Sequence, residues 1–184
     1  MIKKSFKLLA VAVSLMFCSQ MANAQSYSIR TNVIGLASTN LNIEASMTLN
    51  HKWSLHVPVQ YNPFRFNNNK QYRNFYMAPG VRWWWLQSYL GNFFGIYATG
   101  GKYSVGNIFG SKYRYEGQAY GLSGSFGRAY PINRRWNIEW EIGAGLMWMD
   151  QDKYACKRCG DLVKSEHKWR FLPTKAALNV VYLF

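Results

Sequence analysis

After the first twenty-five residues the chain alternates between apolar and polar positions, the period-two pattern of β-strands with two chemically distinct faces. In Trp53-Ser-Leu55-His-Val57-Pro-Val59-Gln-Tyr61 the odd positions are apolar and most even ones polar. From Trp136 to Trp148 the even positions carry Ile138, Trp140, Ile142 and Leu146, while Glu139 and Glu141 share the other face. Leu41, Ile43, Ala45, Met47 and Leu49 alternate with Asn42, Glu44, Ser46 and Thr48. Ala176, Leu178, Val180, Tyr182 and Phe184 line one face at the C-terminus. The pattern predicts eight strands over 27–38, 40–49, 52–62, 74–86, 92–106, 116–130, 136–150 and 169–184. The fifth and sixth are glycine-rich and their register is open. For the sixth, Tyr120, Leu122 and Phe126 are placed outward, and Ala119, Ser123 and Ser125 inward.

The connections fall into two kinds. Leu49-Asn-His-Lys-Trp53 and Ile132-Asn-Arg-Arg-Trp136 are near copies, and Gln87 to Gly91 is a third short turn. Longer links cover 63–73, 107–115 and 151–168, but the one near Ser38 and Thr39 is very short. Tight turns at one end and longer loops at the other predict an all-β, eight-stranded antiparallel up-and-down barrel with both termini on the tight-turn side.

Alternation suits a soluble barrel as well, with its apolar face inward. Three features favour a transmembrane one. Trp53, Trp83, Trp85, Trp136, Trp140 and Trp148 would crowd a narrow lumen but fit against lipid. Aromatic residues mark strand ends on that face: Trp53 and Tyr61, Trp136 and Trp148, Phe75 and Trp85. The chain ends at Tyr182-Leu-Phe184, a terminal phenylalanine of the kind read by outer-membrane assembly machinery. The lumen would then hold Arg30, Glu44, His56, Arg82, Glu139, Glu141 and Lys175, of both signs and able to pair. An eight-stranded lumen is filled by side chains, which argues against a porin.

The N-terminus changes the meaning of the net charge. The chain carries +14, which alone would suggest nucleic acid. Lys3, Lys4 and Lys7, the apolar run from Leu8 to Phe17, and Ala22-Asn23-Ala24 read as a secretory signal peptide over residues 1–24. Residues 25–184 then form the barrel. The mature chain still carries +11, and the expected location is the outer membrane. The anionic partners would be envelope lipid and lipopolysaccharide rather than nucleic acid.

Candidate chemistry is sparse. Cys156-Lys-Arg-Cys159 is a single CxxC in the last long link. It fits a loop disulfide, or a metal site with His167 and a neighbouring acid; a thioredoxin-like pair lacks its βαβ setting. Lys153, Lys157, Arg158, Lys164, Lys168 and Arg170 crowd the same link, as a solvated surface or a contact for lipopolysaccharide phosphates. Arg65, Lys70, Arg73, Lys112 and Arg114 add charge to other links. Ser54 and His56 share a face with Glu44 on the adjoining strand, a pattern met in hydrolytic triads. That face points into the lumen near the tight turns, away from any lipid substrate, so no catalysis is expected. No Walker, HExxH or dinucleotide motif is present, and no cofactor is expected.

Several segments together carry a resemblance: Tyr61-Asn-Pro-Phe64, Phe94-Gly-Ile-Tyr97, Gly100-Gly-Lys-Tyr-Ser-Val-Gly106, Tyr113-Arg-Tyr-Glu-Gly117, Asp152-Lys-Tyr-Ala-Cys-Lys-Arg-Cys-Gly160, and Pro173-Thr-Lys-Ala-Ala177 running to the C-terminus. The chain resembles an uncharacterised family of small outer-membrane β-barrels, a domain of unknown function, from Bacteroides-type bacteria. The resemblance implies neighbourhood with fimbrial-anchor genes and a role in surface-fibre assembly or attachment. It departs from that family in its nearly absent first outward link. The expectation is a non-enzymatic surface-interaction barrel. The alternatives are a lipid-modifying outer-membrane enzyme or a soluble periplasmic barrel holding a small apolar ligand.

Overall fold

A computed structural model describes residues 27–66, 70–106, 114–154 and 162–184. The signal segment, Lys112, Cys156, Lys157, Arg158 and Cys159 lie outside the described residues.

The strands are β1 (Tyr27–Asn32), β2 (Leu41–Asn50), β3 (Trp53–Asn62), β4 (Arg65–Phe66), β5 (Lys70–Met77), β6 (Gly80–Trp84), β7 (Gly91–Gly106), β8 (Arg114–Pro131), β9 (Trp136–Tyr154) and β10 (Leu162–Leu183). A short helix α1 (Val33–Ala37) follows β1. All pairings are antiparallel, and β1 joins both β2 and β10, so the sheet closes. β5 and β6 together form one stave between β3 and β7, which makes eight staves. β4 is a hairpin extension on β5. The termini meet at one end, where Phe184 N donates to Tyr27 O at 3.0 Å.

The two near-copy turns fold alike because each carries asparagine at the same place. Asn50 Oδ1 accepts from Lys52 N and Trp53 N at 2.9 and 3.0 Å. Asn133 Oδ1 accepts from Arg135 N and Trp136 N, both at 2.9 Å. An asparagine side chain thus replaces the missing backbone turn in both places.

Several boundaries differ from the sequence reading. The predicted link over 63–73 holds β4 (Arg65–Phe66), and the fourth strand starts at Lys70 rather than 74. Residues 33–37 are helical rather than the end of the first strand: Asn32 Oδ1 caps Ile34 N at 3.1 Å. The fourth strand breaks at Ala78-Pro79, because proline brings no N–H to the ladder. It also stops at Trp84. The last link is mostly strand: β9 runs on to Tyr154 and β10 starts at Leu162. The predicted register of β8 matches: Tyr120 and Leu122 are exposed, while Ser123 and Ser125 are buried.

Burial is inverted relative to a water-soluble domain. Among the described residues, sixteen buried side chains are polar or charged and ten are apolar. The outward face of β9 is apolar from Trp136 to Trp148, through Ile138, Ile142 and Leu146. It turns polar at Asp150 and Asp152. Neighbouring strands show the same change: Leu122 and Tyr120 give way to Gln118 and Glu116 along β8.

A buried ion network and the cavities above it

The interior is built in three levels. At the terminal end, Trp84, Tyr89, Phe93, Ala129, Val181 and Leu183 form an apolar floor. Tyr89 comes from the short turn after β6, where a positive φ of 69° folds it inward. Its carbonyl accepts from Asn137 Nδ2 at 2.8 Å and its hydroxyl lies 3.0 Å from Ser46 Oγ. The turn therefore acts as a stopper. Glycines opposite the interior rings make this packing fit: a Cβ on Gly127 would stand 2.5 Å from Phe93 Cζ, and one on Gly95 would stand 2.7 Å from Tyr97 Cε2.

The charged level lies above the floor. Arg82 is fully buried and reaches three carboxylates: Glu141 at 2.6 Å, Glu139 at 2.7 Å and Glu44 at 3.1 Å. Its Nε donates to Tyr97 OH at 2.6 Å, and its guanidinium stacks over Phe93. Arg30 binds both oxygens of Glu139, at 2.6 and 2.9 Å. Lys175 contacts Glu141 at 2.9 Å and Glu44 at 3.3 Å. Tyr97 OH and Ser125 Oγ complete Glu141 at 2.9 and 2.6 Å. The six charged residues read from the sequence as lumen-facing meet in this cluster, and His56, the seventh, joins it through Glu44. Three cations face three carboxylates, so the interior balances its charge while each group keeps a partner.

Ser54, His56 and Glu44 make a chain: Ser54 Oγ lies 2.7 Å from His56 Nε2, and His56 Nδ1 lies 2.8 Å from Glu44 Oε1. The geometry is that of a hydrolytic triad, but its setting differs. Ser54 and His56 have no exposed surface, and Trp84 Nε1 donates to Ser54 Oγ at 2.7 Å. The hydroxyl thus sits under an indole, and Glu44 is shared with Arg82 and Lys175. The arrangement satisfies buried polar atoms.

Among the described residues, two adjoining cavities on the lumen side lie above the charged level. One, of about 420 Å³, has Tyr76, Thr99, Thr174, Met147 and Met149 in its wall. The other, of about 100 Å³, reaches Lys175, Arg30 and Glu44. Gln60, Tyr76 and Thr174 line both.

The basic residues of the last link fall on strands. Lys164, Lys168 and Arg170 occupy alternate positions of β10 around Glu166, opposite lumen-side Lys153, Met149 and Met147. Lys164 Nζ is 2.6 Å from Glu166, Lys168 pairs with the same carboxylate, and Arg170 is 3.9 Å away. Hydrogen bonds from Lys164 and Lys168 hold the Glu166 carboxyl down at about 2. His167 lies on the opposite face, its Nδ1 3.0 Å from Asp150 Oδ1. No group of residues suited to a metal occurs among the described residues.

A family model for proteins of unknown function, DUF3575, matches residues 9–184. The chain belongs to this family. Comparison with curated proteins and with solved structures gave no match.

Sequence reasoning found the charged residues but missed their supports. Tyr97, Trp84 and Phe93 were not assigned inward, because Phe93-Phe94 and Trp83-Trp84-Trp85 put aromatics on both faces. Tyr89 was read only as part of the short turn from Gln87 to Gly91, although an aromatic in so short a turn is the one signal that could have marked it.

Proposed function

We propose that this DUF3575 protein is an exported, non-enzymatic outer-membrane β-barrel, closed to flow, that carries a rim of basic strands toward a surface partner. The observation that carries the reading is the inverted burial: charge inside, and indole and aliphatic side chains outside. The apolar outward stretch from Trp136 to Trp148 covers thirteen residues, or twelve residue-to-residue steps. At ~3.3 Å per residue and a tilt of ~45°, this spans ~28 Å along the barrel axis, close to the ~25 Å apolar band of outer-membrane barrels. In water that face would expose a patch far above the few hundred Å² usual for a soluble monomer. Against lipid it needs no cover. The same contrast argues against a soluble ligand-binding barrel.

The ion network supports a plugged interior, and the burial of Ser54 beneath Trp84 supports the non-enzymatic reading. Beyond the apolar band the strands continue, with Lys164, Lys168 and Arg170 on one face. They lie on the lumen-side face at the barrel mouth, so they suit the anionic groups of a partner reaching over the rim better than lipopolysaccharide around the outer wall. From Lys164 to Lys175 the outer edge of β10 has no strand partner among the described residues. An open edge suits the docking of another protein's extended segment. A surface-fibre assembly or attachment role, in a Bacteroides-type envelope, is the biological setting this reading favours.

The test is topology. In a variant with Cys156 and Cys159 replaced by serine, a cysteine is placed at Ser165 or at Asn133. A membrane-impermeant maleimide on intact cells should label S165C and spare N133C until the outer membrane is breached. Labelling of neither in intact cells and both in the soluble periplasmic fraction would reject the proposal.

A further inference from the structure

The barrel wall has a weak place. β1 stops at Asn32, and α1 takes over the position between β10 and β2. On one side β10 carries Pro173 and a bulge between Pro173 and Lys175. On the other, β2 meets β1 only from Glu44 to Met47, so Leu41 to Ile43 lack a strand on that edge. Side chains bridge the gap in place of a ladder: Asn42 Oδ1 accepts from Asn32 N at 2.6 Å, and Asn32 Nδ2 donates to Ala176 O at 3.3 Å. The smaller cavity lies at this seam, because outward Ile43 and Ala176 and inward Lys175 and Glu44 all border it.

The larger cavity adjoins it through the shared residues Gln60, Tyr76 and Thr174. Its two ends differ. Thr174, Tyr76 and Gln60 offer hydroxyls and an amide on the seam side; Met147, Met149 and Ala119 make the far wall apolar. No carboxylate lines it, and its one charged lining residue, Lys102, sits on the outward face with Phe75. The nearest interior cations are therefore Lys175 and Arg30, which share the adjoining smaller cavity with Glu44. Thr174 Oγ1 is buried and has no hydrogen-bond partner. Such a group ordinarily has a partner, and an orphan costs free energy. A volume of about 420 Å³ falls in the range of small-molecule sites.

From these features we infer that the cavity binds a single-chain amphiphile with an anionic head, admitted sideways through the seam between β10 and β2. The head contacts Thr174 and Tyr76 beside Lys175, and the chain lies along Met147 and Met149. Lateral entry rests on the membrane reading above; binding itself does not.

The test uses the full mature chain folded into lipid nanodiscs, with hexadecanoate bearing a chain-borne diazirine as probe. Incorporation in a folded form is read first, and its failure counts against the membrane reading alone. After irradiation, mass spectrometry should place the label on Met147 or Met149 and within 172–174, the residues of these two strands that line the cavity. Unlabelled hexadecanoate should compete at least tenfold better than hexadecanol, and hexadecyltrimethylammonium should compete least. Met149→Trp, which fills the cavity, and Thr174→Val, which keeps its volume, should each lower labelling at least fivefold while the barrels still fold. Ala176→Trp at the seam should slow labelling without lowering its final extent. Label confined to lipid-facing Ile142 and Leu146, or labelling indifferent to all three variants, would overturn the inference.

Discussion

Two ion pairs of equal length occupy opposite ends of the interior. Arg82 and Glu141 meet at 2.6 Å with neither side chain exposed. Lys164 and Glu166 also meet at 2.6 Å, but their side chains are 64% and 31% exposed. Distance is the same; the alternative open to each partner is not. A buried carboxylate that loses its cation has no water to turn to, so the cost of separation is the full desolvation of a charge. At the rim, water and salt replace a lost partner at once, and such pairs contribute little. Removing one partner should therefore cost far more in the plug than at the rim.

That contrast can be broken most severely at Arg82. Arg82→Met leaves Glu44, Glu139 and Glu141 short of a cation and should lower unfolding stability by ~3–5 kcal/mol in urea titrations of vesicle-embedded protein. A loss under ~1 kcal/mol would mean that water fills the plug. The outward face gives the next largest effect. Leu122 points outward within the apolar band, and Leu122→Arg should cost ~2–4 kcal/mol in the same assay if that face meets lipid. In water the same change would be nearly silent. Ser54→Ala strands Trp84 Nε1 and His56 Nε2 inside the floor, and should cost ~1–3 kcal/mol. The smallest effect belongs to the rim. Lys164→Gln together with Lys168→Gln should leave stability unchanged within error while raising the Glu166 carboxyl from about 2 toward its ordinary value. Glu166 stays ionised from neutral pH down to that value, so its pairing is lost only as acid passes below it. A side-chain NMR titration of Glu166 in both proteins checks the shift.

Strands were legible where one face was apolar throughout, as in β3 and in β9 up to Trp148. Alternation there reports a boundary between two media. It fades beyond Trp148 because both faces of the strand are polar, so the extension of β9 to Tyr154 and the early start of β10 were read as loop. The repeated asparagine turns were visible as near copies. Helix α1 was not, since Val33-Ile-Gly-Leu-Ala37 is too short for a helical period to show. The charged cluster was legible because ionisable residues interrupt apolar strands only at some cost. Its pairings depend on which strands meet across the lumen, and closure rather than local sequence decides that. Arg30 and Glu139, 109 residues apart, are the clearest case.

The proposed membrane-embedded barrel is locked by its buried ion network. Heat-modifiability of the membrane-fraction protein on a semi-native detergent gel tests it most directly, read for the native chain beside Arg82→Met. The native barrel should stay folded in cold detergent and change mobility only on boiling, while Arg82→Met should change at a clearly lower temperature. A native protein that stays in the soluble fraction and migrates identically cold and boiled would contradict the claim.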